Sequence, residues 1–150
     1  MKSSEKVLNE LFVDVFNQIL ILEERALAGD RDLDVTMTEI HVMEAITKCN
    51  PATMGSVSKK LMITMGTLTI SVNRLVEKGY VSRYRNKEDR RVVLLNLTPK
   101  GEEINKLHEK FHEDLVAAAL KDLEDREDLT LALESIHRFF KKLQEQQISP

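Results

Sequence analysis

The sequence predicts a mainly α-helical fold with one small β-hairpin. Long stretches near both ends carry apolar residues at helical spacing, and a short stretch past the middle alternates like a strand. Turn-forming residues are few, with five Gly and three Pro among 150 residues. At this length and with 42% hydrophobic residues, we expect one globular domain over residues 1–150.

The first predicted helix covers residues 4–28, where apolar residues recur at spacings of three and four. A chain of this length offers little core on which so long a stripe can pack, so we expect part of it to contact a second chain. Gly29 breaks the pattern, and a charged connector follows. The stripe comprises Val7, Leu8, Leu11, Phe12, Val15, Phe16, Ile19, Leu20 and Leu22.

Three shorter helices are predicted next, each marked by a capping residue. Thr36 and Glu39 have the spacing of a capping box. Thr53 and Thr64 are placed to cap the second and third helices, and Gly79 follows the third, where a left-handed residue is usual. The inward faces are predicted to carry Ile40, Val42, Met43, Ile46, Val57, Leu61, Leu68, Val72, Leu75 and Val76.

Two strand-like stretches, 80–85 and 91–97, flank a polar turn behind the third helix. Two helices joined by a tight turn and followed by a hairpin form a winged helix-turn-helix, which we predict for residues 36–98. Residues 59–91 contain nine Lys and Arg against three Asp and Glu, a net charge of +6 in a chain whose total is −3. Such a concentration of positive charge is typical of DNA-binding units. The alternative is an ordinary solvated hairpin.

The outer face of the third helix has an unusual composition. Short hydrogen-bonding side chains, one cation and one apolar residue stand where a solvated helix more often carries Glu and Lys. Such groups suit the base edges of a major groove. The candidates for DNA contact on this face are Thr67, Thr69, Ile70, Ser71, Asn73 and Arg74, with Ser56, Lys59 and Lys60 on the preceding helix facing phosphates.

Residues 100–150 predict two further helices. Thr98 is the expected N-cap of the first, with Pro99 at N1. Acidic residues at 122–128 separate it from the last helix, which runs to about residue 146. Both carry apolar stripes, so we expect 4–28 and 100–150 to form the dimerisation helices of a homodimer. A two-fold dimer places two recognition helices in successive major grooves, which predicts a palindromic site with half-sites about one turn apart.

The chain resembles the MarR family of bacterial transcription regulators over essentially its whole length. The runs GTLTISVNRLVEKGYV and EDRRVVLLNLTPKG carry the resemblance, and the second matches the wing signature of the family. Within the family, MITMGTLTISVNRLVEKGY, RNKEDRRVVLLNLT and HEKFH are similar to repressors of fatty-acid synthesis genes in streptococci. The resemblance implies a dimeric, ligand-responsive repressor that binds double-stranded DNA.

The resemblance also implies roles by position. Arg90 matches a wing-tip residue that inserts into an A·T-rich minor groove, and Asp89 and Arg91 match a pair that braces the wing. Ile70 stands where many members carry a polar or basic residue, which favours a contact with a thymine methyl group. Positions that meet bases and phosphates are matched by Thr67, Thr69, Ser71 and Asn73.

An effector crevice between the dimerisation helices and the DNA-binding lobe is a further implication of the resemblance. In the fatty-acid branch the expected effector is an acyl chain on acyl carrier protein, acting as co-repressor. For each candidate lining residue the alternative is plain core packing. The candidates are Phe12, Phe16, Ile19, His41, Met43, Met62 and Phe111.

One pattern points to different chemistry. His108, Glu109 and His112 match H-E-x-x-H, the zinc-peptidase motif. Because no clear third ligand helix follows, a zinc hydrolase is the less favoured hypothesis, as is a regulatory metal. We therefore predict no catalytic residue, no metal site and no cofactor. A hydrolase would bind stoichiometric zinc and lose it on His108→Ala.

The remaining expectations concern location and redox chemistry. Cys49 is the only cysteine, so a disulfide within the chain is excluded, and an inert thiol is expected. The sequence has neither a signal peptide nor an apolar run of the ~20 residues that span a bilayer, so a cytoplasmic protein without membrane contact is expected.

Two further function classes stay open: a MarR-type repressor of another pathway with a small-molecule effector, and a helical adaptor without DNA affinity.

Overall fold

The computed structural model of the protein describes residues 3–29, 33–121 and 127–147. Seven α-helices, one π-helical segment and one hairpin make up these residues, which confirms the mainly helical fold class. The connector at 30–32 and most of the acidic stretch, 122–126, lie outside the described residues. The elements are α1 Ser3–Glu10, the π-helical segment Leu11–Val15, α2 Phe16–Ala28, α3 Met37–Lys48, α4 Met54–Leu61, α5 Met65–Glu77, β1 Val81–Arg85, β2 Val93–Leu97, α6 Pro99–Leu120 and α7 Glu127–Gln147.

The N-terminal helical run is long and stands away from the core. Its backbone is helical from Ser3 to Ala28, with a π-helical segment that the sequence did not predict. Glu23 and Leu27 are its buried residues, whereas the predicted apolar stripe is largely exposed, including Phe16 at 62%. None of the described helices is both long and apolar enough to span a bilayer.

The predicted helix caps are confirmed. Thr36 Oγ1 accepts from the Glu39 N–H at 3.2 Å, and the Glu39 carboxylate accepts from the Thr36 N–H at 2.8 Å. Thr53 caps α4 in a second capping box, and Thr64 caps α5. These interactions satisfy N–H groups that have no partner inside their helices.

The core lies where α3, α4 and α5 pack together and against the hairpin. The residues predicted to point inward are buried, with two exceptions. Leu61 is half-buried, and Val76 is 37% exposed because it is turned about 100° around the helix from the buried Leu75.

The hairpin is bonded to the loop that precedes α4. β1 and β2 pair antiparallel, with Val81 opposite Leu97, and the Leu95 N–H on β2 donates to the Ala52 carbonyl at 2.8 Å. The wing therefore forms one unit with the loop before α4.

The junction between α5, β1 and α6 explains the Thr-Pro-Lys-Gly run. After α5, Gly79 adopts a φ of +80°, and the Tyr80 N–H reaches back to the Leu75 carbonyl at 2.9 Å. Thr98 donates through its N–H to the Tyr80 carbonyl at 2.9 Å. A Cβ at Gly101 would lie 2.2 Å from that same carbonyl oxygen, so only glycine fits this approach.

Candidate nucleic-acid interface and histidine cluster

The outer face of α5 is exposed as predicted. Ile70 is 56% exposed, and the hydroxyls of Thr67 and Thr69 make only local bonds, to Thr64 Oγ1 at 2.9 Å and to the Met65 carbonyl at 2.7 Å. Hydroxyls with local partners keep acceptor capacity toward solvent. Asn73 and Arg74 complete the exposed face.

Ser71 departs from this pattern, because its side chain is only 9% exposed. It follows Leu68 by three positions and precedes Leu75 by four, so it lies on the core side of α5. This corrects the expectation that Ser71 meets bases.

A contact that sequence reasoning missed joins α5 to the wing. Arg83 on β1 donates from Nη2 to the Asn73 Oδ1 at 2.5 Å. Arg83 is exposed, so it adds a cation at the edge of the α5 surface. The sequence did carry a signal for this contact. Arg83 alternates with Val81 and Arg85 in a predicted strand, and alternate residues of a strand lie on the same face.

The wing tip is a loop between β1 and β2 whose geometry is set by one carboxylate. Asp89 accepts from the Arg91 backbone N–H at 3.0 Å and from its guanidinium at 3.1 and 3.2 Å. The side-chain bond from Arg91, followed by the backbone bond, holds the pKa of Asp89 below its usual value. The two residues thus have the geometry of the expected brace, and Arg90 between them is exposed.

The three α4 candidates have different surroundings. Lys59 and Lys60 are exposed. Ser56 is half-buried, and its Oγ donates to the Pro51 carbonyl at 2.8 Å and accepts from the Thr53 N–H at 2.9 Å. Ser56 is thereby committed to the capping box of α4.

The effector candidates do not line one crevice. Phe16, Ile19 and His41 share a cavity of about 570 Å³ between α2, α3 and α6, and Phe12 joins Phe16 and Ile19 in an adjoining apolar cavity of about 620 Å³. Phe111 lines a separate cavity beside Leu27.

Two of the candidates belong elsewhere. Met43 is fully buried in the core, where it packs among α3 neighbours. Met62 ends α4 in a left-handed conformation with φ of 54° and is 58% exposed. Neither lines the cavities beside Phe16.

A cluster of imidazoles lies between the N-terminal helix, α3 and α6. The Glu23 Oε1 contacts the Nε2 atoms of His41 at 3.3 Å and His112 at 3.0 Å, and it also bonds the Nε2 of His108. Burial works to raise the pKa of Glu23, but bonds from His108 and His41 outweigh it and lower that pKa below the usual value. Glu23 and His108 are 2% and 0% exposed.

This arrangement differs from that of a zinc peptidase. Glu109, the expected base, accepts a hydrogen bond from Asn105 at 2.9 Å and is exposed. The histidines instead face Glu23 from another helix, which the motif did not anticipate. The H-E-x-x-H match therefore does not mark a hydrolase.

Comparison with known proteins agrees with this geometry. The model of the family described as "Transcriptional regulator SarA/Rot" matches residues 28–109. The multiple antibiotic resistance protein MarR of Salmonella typhimurium is 35% identical over 100 residues, which cover 66% of this chain and 69% of MarR. The regulator YhjH of Bacillus subtilis is 29% identical over 79 residues, which cover 53% of this chain and 45% of YhjH.

Solved structures give a similar result over a longer span. The structure of Streptococcus pneumoniae FabT in complex with DNA aligns with a TM-score of 0.83 and 36% identity, covering 95% of this chain and 99% of FabT. The shared features are the winged helix-turn-helix and its flanking helices. The chain belongs to the MarR family of winged-helix DNA-binding transcriptional regulators, which are not enzymes.

Proposed function

We propose that this protein is a homodimeric repressor of fatty-acid synthesis genes, which binds a palindromic A·T-rich operator with an acyl chain on acyl carrier protein as co-repressor. The observation that carries this proposal is the similarity to DNA-bound FabT over 95% of the chain. The motifs shared with the fatty-acid branch of the family support it. A regulator of this kind acts in the bacterial cytoplasm.

The exposed surface supports a division of roles in DNA binding. The face of α5 enters the major groove, where Ile70 packs on a thymine methyl group and Asn73 bonds a base edge. Lys60 on α4 contacts a phosphate. Arg90 reaches the minor groove from the wing, while Asp89 and Arg91 fix the shape of the wing tip. The major-groove set is Thr67, Thr69, Ile70, Asn73 and Arg74.

Exposed apolar side chains support the homodimer. The N-terminal helical run and α7 meet within the chain, where the rings of Phe12 and Phe140 stack edge to face at 5.4 Å. Around this contact both elements leave large apolar side chains in solvent, an arrangement that marks a protein interface. We assign dimerisation to residues 4–28 and 100–150 and DNA binding to 36–98. The exposed set includes Leu11, Phe16, Leu20, Leu131, Leu133, Phe139 and Leu143.

The apolar cavities offer room for an acyl chain. The cavity lined by Phe12, Phe16, Ile19 and Phe140 has about 620 Å³, which lies within the range of sites for small ligands. Its position on the proposed dimerisation helices would let a bound chain alter the spacing of the two DNA-binding lobes. A small-molecule effector and another pathway are the alternative, with the same DNA-binding surface.

A DNA-binding titration tests this proposal. Purified protein is titrated with a duplex from upstream of the fatty-acid synthesis genes and with a scrambled duplex. Each titration is made at two salt concentrations, with and without acyl carrier protein that carries a long acyl chain. We expect salt-sensitive binding to the first duplex, strengthened by the acylated carrier. Binding that ignores the carrier would reject the co-repressor, and equal binding to both duplexes would reject the operator.

A further inference from the structure

We infer that Glu23, His41, His108 and His112 form a Zn²⁺ site that links the DNA-binding lobe to the dimerisation helices. The four side chains come from α2, α3 and α6, so one ion would connect three elements. The metal site stands on the geometry of the cluster alone. Its regulatory consequence rests on the proposed function.

The spacing of the ligand atoms fits one small cation. Tetrahedral zinc with Zn–N and Zn–O bonds of about 2.0–2.2 Å holds its ligand atoms about 3.3 Å apart. The Glu23 Oε1 lies 3.3 Å from the His41 Nε2 and 3.0 Å from the His112 Nε2. The Nε2 atoms of His108 and His112 lie 3.1 Å apart, and ligand atoms of Glu23, His41 and His108 all fall within 4.8 Å of one another.

Hydrogen bonds alone do not satisfy this arrangement. Three Nε2 atoms converge on the same carboxylate oxygen, and each needs a proton to donate to it. The Nε2 atoms of His108 and His112 would then direct two N–H groups at each other across 3.1 Å. Deprotonated nitrogens around a cation remove this conflict, because each Nε2 then offers the ion a lone pair instead of an N–H group.

A second observation comes from the buried ring of His108. Its Nδ1 is buried and has no hydrogen-bond partner among the described residues, and the same holds for the Oδ1 of Asn105 three residues earlier. A metal on Nε2 places the remaining proton on Nδ1, making it a donor. Both atoms are buried and without a partner, so the polar demand of the His108 ring is not met by hydrogen bonds among the described residues.

The donor set selects the metal. Three neutral imidazoles and one carboxylate are borderline ligands in a four-coordinate arrangement, which suits Zn²⁺ rather than Mg²⁺ or Ca²⁺. Four protein ligands leave no open position for a substrate, as in structural and regulatory zinc sites. The cluster therefore gives the histidines of the H-E-x-x-H run a binding role in place of a catalytic one.

The position of the ion between three helices suggests how it would affect DNA binding. α3 packs on α5, the proposed recognition helix, while α2 and α6 belong to the proposed dimerisation region. A cation shared by these helices would hold the lobe in its present arrangement, and the whole chain in this arrangement aligns with DNA-bound FabT at a TM-score of 0.83. We therefore expect zinc to strengthen DNA binding about tenfold, within the usual range of coupling between sites.

Metal binding is tested first, without DNA. Full-length protein stripped of metal is titrated with Co²⁺ and then Zn²⁺, following the visible absorption of four-coordinate Co²⁺ and its loss on displacement. We expect one ion per chain. His41→Ala and His112→Ala should each weaken binding by more than the 10–100-fold that loss of an outer partner costs. Both residues are half-buried, so these variants should fold, which circular dichroism checks.

The remaining histidine provides the matched control. His137 on α7 is exposed, and His137→Ala should bind one ion as the wild type does. Absence of the four-coordinate spectrum, or equal affinity in His112→Ala and His137→Ala, would overturn the site.

The regulatory effect is tested separately by DNA titration with zinc and with a chelator. A zinc effect on the wild type that is lost in His112→Ala is expected. Stoichiometric zinc with unchanged DNA affinity would overturn the regulatory effect, and failure to bind DNA under any condition would reject the proposed function instead.

Discussion

Asn73 on α5 accepts a hydrogen bond from the Arg83 guanidinium on β1 at 2.5 Å, so the recognition helix and the wing share a polar contact at their exposed edge. Both residues lie on the surface. The contact fixes the Asn73 amide with its oxygen toward Arg83, which leaves the NH₂ group free to donate to an acceptor on DNA.

Arg83→Ala should weaken DNA binding by about tenfold with little change in stability. The reason is twofold: a cation near the phosphates is removed, and Asn73 loses the group that orients it. Fluorescence anisotropy on one operator duplex measures this. If Asn73→Ala and Arg83→Ala have fully additive effects, the contact does not couple the two residues.

Arg90→Ala and Lys60→Ala should separate sequence reading from phosphate contact. Loss of Arg90 should weaken binding most on duplexes with A·T-rich flanks, where a narrow groove attracts the guanidinium. Loss of Lys60 should weaken binding to all duplexes about equally and reduce the salt slope by about 1. Both variants are titrated against A·T- and G·C-flanked duplexes. Equal losses from both variants on every duplex would contradict these roles.

Gly101→Ala should destabilise the fold by about 2 kcal/mol or more, because the new Cβ would meet the Tyr80 carbonyl oxygen at 2.2 Å. The backbone carbonyl cannot turn away, since it also accepts from the Thr98 N–H. Urea unfolding measures the change. In Gly55→Ala, a matched control on α4, the nearest atom lies 3.8 Å from the new Cβ. Comparable losses in the two variants would argue against the steric account.

Low pH should weaken the ion pair that joins Glu39 on α3 to Lys78 at the end of α5. Lys78 Nζ donates to the Glu39 carboxylate at 2.9 and 3.1 Å. Burial works to raise the pKa of Glu39, but the bonds from Lys78 and the Thr36 N–H bring it below the ordinary value of 4.5. A lowered pKa gives stability that is present above the unfolded pKa and is lost as pH falls through the folded one.

Lys78→Met should therefore cost about 2 kcal/mol at neutral pH, less than the cost of opening a fully buried pair because Lys78 is partly exposed. The difference from wild type should shrink as pH falls below 4.5, where Glu39 becomes protonated. Denaturant unfolding at several pH values measures this. A difference that stays constant across that range would show that Glu39 is not the partner concerned.

Local signals made much of the fold predictable. Capping residues such as Thr36 and Thr53 act on backbone groups three positions away, so their effect is readable from spacing alone. The apolar spacing of α5 likewise identified its buried and exposed faces. Ser71 and Val76 were misplaced because both lie at the boundary of the stripe, where a rotation of a few tens of degrees decides burial.

The histidine cluster could not be predicted from the sequence, because packing alone brings its distant members together. Glu23 and His108 are 85 positions apart, and Glu23 is directly followed by Glu24, so the sequence does not single it out as the buried carboxylate. Only the packing of α2 against α6 makes that carboxylate the partner of the imidazoles. The H-E-x-x-H spacing identified two of the four residues but named Glu109, which bonds Asn105, in place of Glu23.

The central claim is that a dimer binds two half-sites of a symmetric operator. The number of chains bound to one operator duplex tests this claim most directly. An operator obtained by selection from random DNA is compared with a version in which one half-site is randomised, using sedimentation and anisotropy. We predict two chains per duplex and a loss of at least about 100-fold on the altered duplex, since each mismatched base pair costs about 1–3 kcal/mol. One chain per duplex, with equal affinity for both versions, would contradict a dimeric regulator.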